Sequence, residues 1–225
     1  MERTRRLSIL VFAGLLLAFS APALLSAEPC ILVDTPLVLD PPNCDYHSLG
    51  LKHGPDLDIA KLQHAIHKRF INRSQSNGGI LGGTVNKFSS SLQIEVAGTG
   101  QFKGYNRTIT LDADCEAHAG PWDPNESVIS FDTHMVRIEG SLENDPDFES
   151  FRIVGGLDNG YPSPGHQTAA RQEDGTYALD SMFQIGFRVE YVGAPGGAFE
   201  GYAGSSEGTA TVKAFNPSGN SDSTN

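Results

Sequence analysis

From Thr84 onward, apolar and polar residues alternate with a period of two. Leu92, Ile94 and Val96 interleave with Gln93 and Glu95, and Ile109, Leu111 and Ala113 with Thr110 and Asp112. Val136 and Ile138 alternate with Arg137 and Glu139. The longest run sets Phe183, Ile185, Phe187, Val189 and Tyr191 against Gln184, Gly186, Arg188 and Glu190. A last run sets Ala210, Val212 and Ala214 against Thr211 and Lys213. Successive side chains of a strand point to opposite faces, so each run has one buried face and one wetted face, as in an antiparallel sheet. Turn-forming clusters separate the runs: Gly98-Thr99-Gly100, Gly120-Pro121, Asn144-Asp145-Pro146, Asp158-Asn159-Gly160 and Asp174-Gly175. Short strands at this spacing suggest two packed antiparallel sheets, or a barrel. The architecture expected is mainly β: an antiparallel, jelly-roll-like β-sandwich over residues 84–215, preceded by one amphipathic helix.

That helix belongs to a lead-in spanning 28–83. Ile59, Leu62, Ile66 and Phe70 recur at steps of three and four, which gives one apolar stripe. Gly54-Pro55 would open it, with proline where a missing N–H costs nothing. Asp56 and Asp58 in the first turn and Lys68, Arg69 and Arg73 near the last suit the helix dipole. Gly78-Gly79 and Gly82-Gly83 would end it, and the stripe would lie against the sheet. Before it, Pro36, Pro41 and Pro42 punctuate an irregular segment in which Ile31-Leu32-Val33 forms a short edge strand.

The two ends read differently. Arg3, Arg5 and Arg6 precede an apolar run from Leu7 to Phe19, and small residues lead to Ser26-Ala27. This is the pattern of a secretory signal peptide over 1–27, too short to span a bilayer at ~20 apolar residues. Residues 216–225 are Pro, Gly, Ser, Asn, Asp, Thr and Lys-free, a composition that buries nothing and reads as a disordered tail. Losing 1–27 lowers Lys plus Arg from 16 to 13 and Asp plus Glu from 27 to 26, moving the formal charge from −11 to about −13. Such a surface repels phosphate backbones and anionic lipid, so nucleic acid is not an expected partner. No membrane span is expected after signal cleavage. The expected location is secreted, periplasmic or cell-envelope, where disulfides persist. Of the three cysteines, Cys30 and Cys44 are the expected pair, closing a short loop for about 3 kcal/mol. Cys115 ends an alternating strand on its apolar side and reads as a buried thiol.

Several local runs carry a resemblance. Phe88-Ser89-Ser90-Ser91-Leu92, Phe131-Asp132-Thr133-His134-Met135 leading to Gly140-Ser141-Leu142, and Asp174-Gly175-Thr176-Tyr177 through Phe183 stand between Val85 and Ala214. Over that span the chain resembles a loose group of exported bacterial β-rich proteins of unknown function. The resemblance implies a sandwich and export, and it brings no catalytic residues.

Three sets of residues could carry chemistry. His64 and His67 stand three apart, neighbours on one helix flank, and could share a metal with His47 and His53. Asp145 and Asp147, with Glu149, offer hard oxygens for calcium from a loop. Trp122, Tyr161 and Tyr202 lie in glycine- and proline-rich loops, where rings can stack on sugars. The plainer readings are surface histidines, solvated turn acids and rings that plug the end of the fold. No Gly-x-Ser-x-Gly elbow, His-Glu-x-x-His motif, phosphate-cradling loop or dinucleotide fingerprint occurs, and no cofactor is called for. The functional expectation is an exported, non-catalytic structural or interaction module with an unidentified protein or polysaccharide partner. A calcium- or carbohydrate-binding module and a secreted hydrolase with a loop-borne acid site are the alternatives.

Overall fold

The alternating runs are strands, and the sheet they build closes on itself. The computed structural model describes residues 30–32, 44–49, 57–142 and 144–216. Ten strands follow in chain order: β1 (Cys30–Leu32), β2 (Asp45–Ser48), β3 (Ala60–Asn77), β4 (Thr84–Gly98), β5 (Asn106–Ala119), β6 (Val128–Leu142), β7 (Phe148–Gly155), β8 (Pro164–Arg171), β9 (Tyr177–Gly193) and β10 (Ala203–Phe215). Neighbours run in the order β9-β10-β2-β3-β4-β5-β6-β7, and β7 returns to β9. All the pairings are antiparallel.

β7 and β8 share one stave. β6 pairs with β8 from Val128 to His134 and with β7 from Ile138 to Leu142. β9 pairs with β8 from Tyr177 to Phe183 and with β7 from Phe187 to Gly193. Residues 156–163 interrupt the stave, and Ser163 ties the interruption back to β6 by accepting from the Met135 N–H at 2.9 Å. β1 adds a short strand to β9, with Cys30 opposite Leu179. The result is a closed eight-stranded antiparallel barrel with two extra strands.

This overturns the sandwich. A wall facing one core and a wall facing another sheet have the same period-two signature, so the alternation could not separate them. Strand length does separate them. β3, β4, β6 and β9 run to 18, 15, 15 and 17 residues, long enough to tilt across a barrel wall and to meet different partners at each end. The sequence clusters had marked only their most regular stretches.

The amphipathic helix is overturned as well, because its residues form β3. Against β4, that strand shifts register between Leu62 and Ala65, Lys68 and Ile71, and Ile71 and Ser74. At each shift three residues of β3 span two of β4, which is a β-bulge. Arg69 (φ 57°) and Asn72 (φ 54°) take the left-handed conformation inside the last two. Inward positions therefore fall at Leu62, Ala65, His67 and Phe70, and bulges have turned a period of two into steps of three, two and three. The broken alternation hides the strand, and two of these inward residues, Leu62 and Phe70, fall on the apolar stripe of the expected helix.

The expected disulfide is present: Cys30 and Cys44 are joined, with Cα atoms 5.8 Å apart, linking β1 to the residue before β2. β2 and β3, from the lead-in, are staves of the same sheet as the strands that follow. The expected signal peptide (1–27), His53 and residues 217–225 lie outside the described residues.

Arg69 gives a direct test of β3. Its side chain is exposed and its backbone is left-handed, a conformation that costs a non-glycine residue about 1–2 kcal/mol. Arg69→Gly should raise stability in urea unfolding by about 0.5–1 kcal/mol after the entropy lost to glycine. A helix would instead lose about 1 kcal/mol.

Candidate binding cavity

Closure makes the apolar face of every stave part of one interior. At mid-height, Leu62 and Leu92, Ile94 and Ile138, and Ile185 and Phe187 line a half-open cavity of about 60 Å³. At about 30 Å³ per water in the liquid, that is room for roughly two waters. Ala65 on β3 and Ala210 on β10 also line it, and these short side chains leave the centre unfilled. They flank the thinnest part of the wall. β2 meets β10 over four register pairs but β3 over only two. Next to this ladder, the Ala65 N–H donates to Ser48 Oγ at 2.9 Å and the Leu49 N–H to Thr211 O at 2.8 Å. No ladder among the described residues joins β10 to β3 directly.

One titratable side chain reaches the cavity. His67 is 8% exposed and lines both this space and a smaller one of about 10 Å³ beside Tyr46, Phe70, Phe88 and Phe183. Its Nε2 lies 2.5 Å from Ser90 Oγ and 3.8 Å from Cys115 Sγ, and Ser90 Oγ is 3.5 Å from that sulfur. Phe70 meets the imidazole edge-on at 4.9 Å between centroids. Burial pushes the imidazole down to about 3, so it is neutral at physiological pH. Nearby, Tyr46 OH and Ser181 Oγ are hydrogen-bonded at 2.8 Å. Gln167 of β8 is fully buried with neither amide atom partnered among the described residues, and the Thr133 hydroxyl is likewise unmatched. Each such group left dry costs about 1–3 kcal/mol.

The upper end of the barrel is shut. Phe199 packs against Tyr105 at 4.7 Å and against Phe102 and Phe148 at 5.1 Å. Arg107 fastens this plug. Its Nη1 donates to Asp145 Oδ1 at 2.8 Å and Asp147 Oδ2 at 2.7 Å, and its Nη2 binds Asp145 Oδ2. Tyr105 OH adds a bond to Asp147 at 2.8 Å, and burial with that bond raises the phenol to about 12. Burial alone would raise the Asp147 carboxyl, but hydrogen bonds from the Ala198 N–H, Tyr105 and Arg107 hold it below the ordinary aspartate range.

The residues singled out from sequence therefore disperse. His64 lies on the outer wall, 78% exposed, with Nδ1 3.0 Å from Glu95. Strand geometry sends it and His67 to opposite faces. His47 packs edge-on against Phe215 at 5.5 Å. Asp145 and Asp147 already have their oxygens taken by Arg107, Tyr105 and backbone N–H groups. Among the described residues no group of three or more His, Cys, Asp or Glu side chains is placed to hold a metal. Trp122 leans on Phe131 at 6.4 Å in the loop after β5. Tyr161 donates to Glu207 at 2.8 Å, in the connection between β7 and β8. Tyr202 meets Phe102 edge-on at 5.1 Å beside the plug. These three rings stand on three different loops and share no contact.

Sequence reasoning missed Ser90, Thr133, Ser181 and Gln167. Their signal was present: each is a polar residue at the apolar phase of its strand, as in Phe88-x-Ser90-x-Leu92. A further polar set lies on the outer wall, where His166 Nδ1 is 2.9 Å from Asp132 and its Nε2 is 2.9 Å from Ser130 Oγ. The connectivity is that of a Ser-His-Asp relay, but all three residues are exposed. They stand on adjacent strands with Asp132 directly opposite His166, so the set is a cross-strand polar ladder in open water. Comparisons with protein-family models, curated proteins and solved structures find no match to this chain.

Replacing Arg107 with methionine would leave two partly buried carboxylates without their cation. Arg107→Met should cost about 2–4 kcal/mol in urea unfolding. Asp147 has a depressed folded-state pKa, so its contribution is complete above about pH 4 and is lost as pH falls through the folded value. The acid slope should therefore be shallower in Arg107→Met. Calcium or chelator should leave the wild-type melting temperature unmoved, since a bound ion would raise it.

Proposed function

We propose that the chain is an exported, non-catalytic binding protein whose barrel interior holds one small apolar molecule. The observation that carries this is the half-open cavity of about 60 Å³ at the centre of the core, walled by Leu62, Leu92, Ile94, Ile138, Ile185 and Phe187. Protein interiors pack like organic crystals, and a void of this size forfeits about 1–2 kcal/mol at roughly 24 cal/mol per Å³. An eight-stranded barrel is just wide enough to be filled by its own side chains or to hold one small ligand. Here Ala65 and Ala210 stop short of filling it. A dry apolar cavity accepts hydrocarbon, and filling it returns the forfeited contacts.

The non-catalytic reading rests on the neutrality of the cavity. His67 is uncharged, and the nearby hydroxyls and thiol are engaged with one another. Export rests on the basic and apolar pattern of residues 1–27 and on the Cys30–Cys44 bridge, which suits an oxidising compartment. The sugar-binding alternative loses its support because Trp122, Tyr161 and Tyr202 form no common platform, and the calcium alternative because Arg107 fills the acidic loop.

Ala210→Val tests the reading by filling most of the cavity with two added methyl groups. Saturating ethane should raise the wild-type melting temperature, as a ligand bound only to the folded state must. The Ala210→Val protein should fold and show a smaller rise or none. A wild type that does not respond, or a variant that responds equally, would contradict the proposal.

A further inference from the structure

We infer that His118 is an acid-sensitive latch: as a neutral imidazole it holds the turn between β3 and β4 against the barrel wall, and when protonated it releases that turn. The device is independent of the cavity reading. It sits near the end of β5, whereas the plug gathers around Tyr105 and Arg107 at the start of that strand.

A backbone N–H can only donate, so a ring nitrogen that it meets must offer a lone pair. The Ile80 N–H meets His118 Nδ1 at 3.0 Å. Nδ1 is therefore bare, and the one hydrogen of the neutral ring sits on Nε2, where it donates to Glu116 Oε1 at 2.9 Å. Ile80 stands in the turn 78–83, whose other residues are four glycines and Leu81, so the turn itself carries no titratable side chain. A Cβ on Gly79 would lie 2.9 Å from Nδ1, and the missing side chain lets the turn rest directly on the imidazole. Little else docks it. The Ile80 side chain is 54% exposed. Besides Ile80, the turn reaches β5 through the Gly83 N–H, which donates to Ala119 O at 3.2 Å.

Protonation places a hydrogen on Nδ1, facing the Ile80 N–H, and two donors cannot share a bond. The same proton turns the Glu116 contact into an ion pair, which is the stronger kind of hydrogen bond. The carboxylate draws a proton that the amide opposes, and the exchange trades the turn for the ion pair. Lys87 of β4 binds Glu116 Oε2 at 3.2 Å. Burial alone would raise the Glu116 carboxyl, but bonds from His118 and Lys87 hold it below the ordinary glutamate range. On β6, His134 lies directly opposite His118, and Arg137 opposite Glu116. His134 Nε2 accepts from the Ser163 N–H at 3.1 Å, so this ring also tethers a connection while neutral. Burial, and then His118, push the His134 imidazole below its usual range. Among the described residues no carboxylate is bonded to it, and Asp132 two residues earlier is bonded to His166 at 2.9 Å. His118 therefore takes its proton first, and His134 keeps its hold on Ser163.

Amide hydrogen exchange on the full chain, expressed as protection relative to intrinsic exchange, reads the latch. Between pH 7 and 5 the Ile80 amide should lose protection about tenfold, following the His118 titration seen in nitrogen-15 spectra, while the Ser163 amide keeps its protection. At pH 7 the same spectra should place the His118 proton on Nε2. His118→Asn sets an oxygen that does not titrate near the position of Nδ1, so protection at Ile80 should no longer depend on pH. Glu116→Gln keeps the imidazole but removes the carboxylate, so release should move about one unit lower in pH. The wild-type measurements stand without either variant. Protection at Ile80 that stays flat from pH 7 to 5 would sink the inference. So would loss in step with Ser163, which marks opening of the barrel as a whole, or a proton on Nδ1 at pH 7. A folded His118→Asn protein that still loses protection in acid, or a Glu116→Gln protein with an unmoved midpoint, would overturn it as well.

Discussion

The structure depends on β9 being paired along both of its edges. On one side it carries β10 and, at its start, β1; on the other it carries β8 and then β7. That second edge joins the last strands to the stave beside β6 and removes the open edges a sheet would otherwise expose. Closure also fixes the fate of every alternating run. Once the sheet is a tube, one face of each strand points at the same axis, and eight staves enclose a column of fixed width. The side chains on that face must fill the column or leave a space. Phenylalanine and tyrosine fill the plugged end, whereas Ala65 and Ala210 leave the middle open.

Charge is partitioned by the same wall. The chain is acidic, with a formal charge of −11, and its ion pairs lie on the outer face and around the plug. The Arg107 contacts are partly enclosed, and they tie the turn before β7 to the start of β5. Inside, polar groups are present but uncharged: His67, Ser90, Ser181, Gln167 and Thr133. A polar group in a low-dielectric interior is costly unless something satisfies it. Their placement along one interior gives the barrel an apolar middle with polar contacts to one side of it.

The sequence made the strands legible and the closure illegible. Phe183 through Tyr191 and Ile109 through Cys115 alternate cleanly because one face is buried along the whole run, and both fall inside strands. Cys30 and Cys44 were readable as a pair because both lie in one proline-rich N-terminal segment. β3 was not readable, because the bulges at Leu62–Ala65 and Lys68–Ile71 break its period of two and leave Leu62 and Phe70 on the apolar stripe of the expected helix. The sandwich arose because period two reports a buried face without saying whether that face meets another sheet or the far side of its own. His67 was marked for the wrong reason: as a partner of His64 on a helix it suggested a metal, but on a bulged strand it turns inward alone. Ser90 and Gln167 carried the better clue, polar residues in phase with apolar neighbours, which only a settled strand assignment makes visible.

Xenon is the most direct probe of the central claim, that closure leaves an accessible apolar space at mid-barrel. It enters dry apolar cavities and scatters strongly. A crystal pressurised with xenon should show density among Leu92, Ile138, Ile185 and Ala210, within contact of His67 and absent from the plug around Phe199. Density confined to other places, or a barrel whose centre is packed solid at the same pressure, would contradict the account.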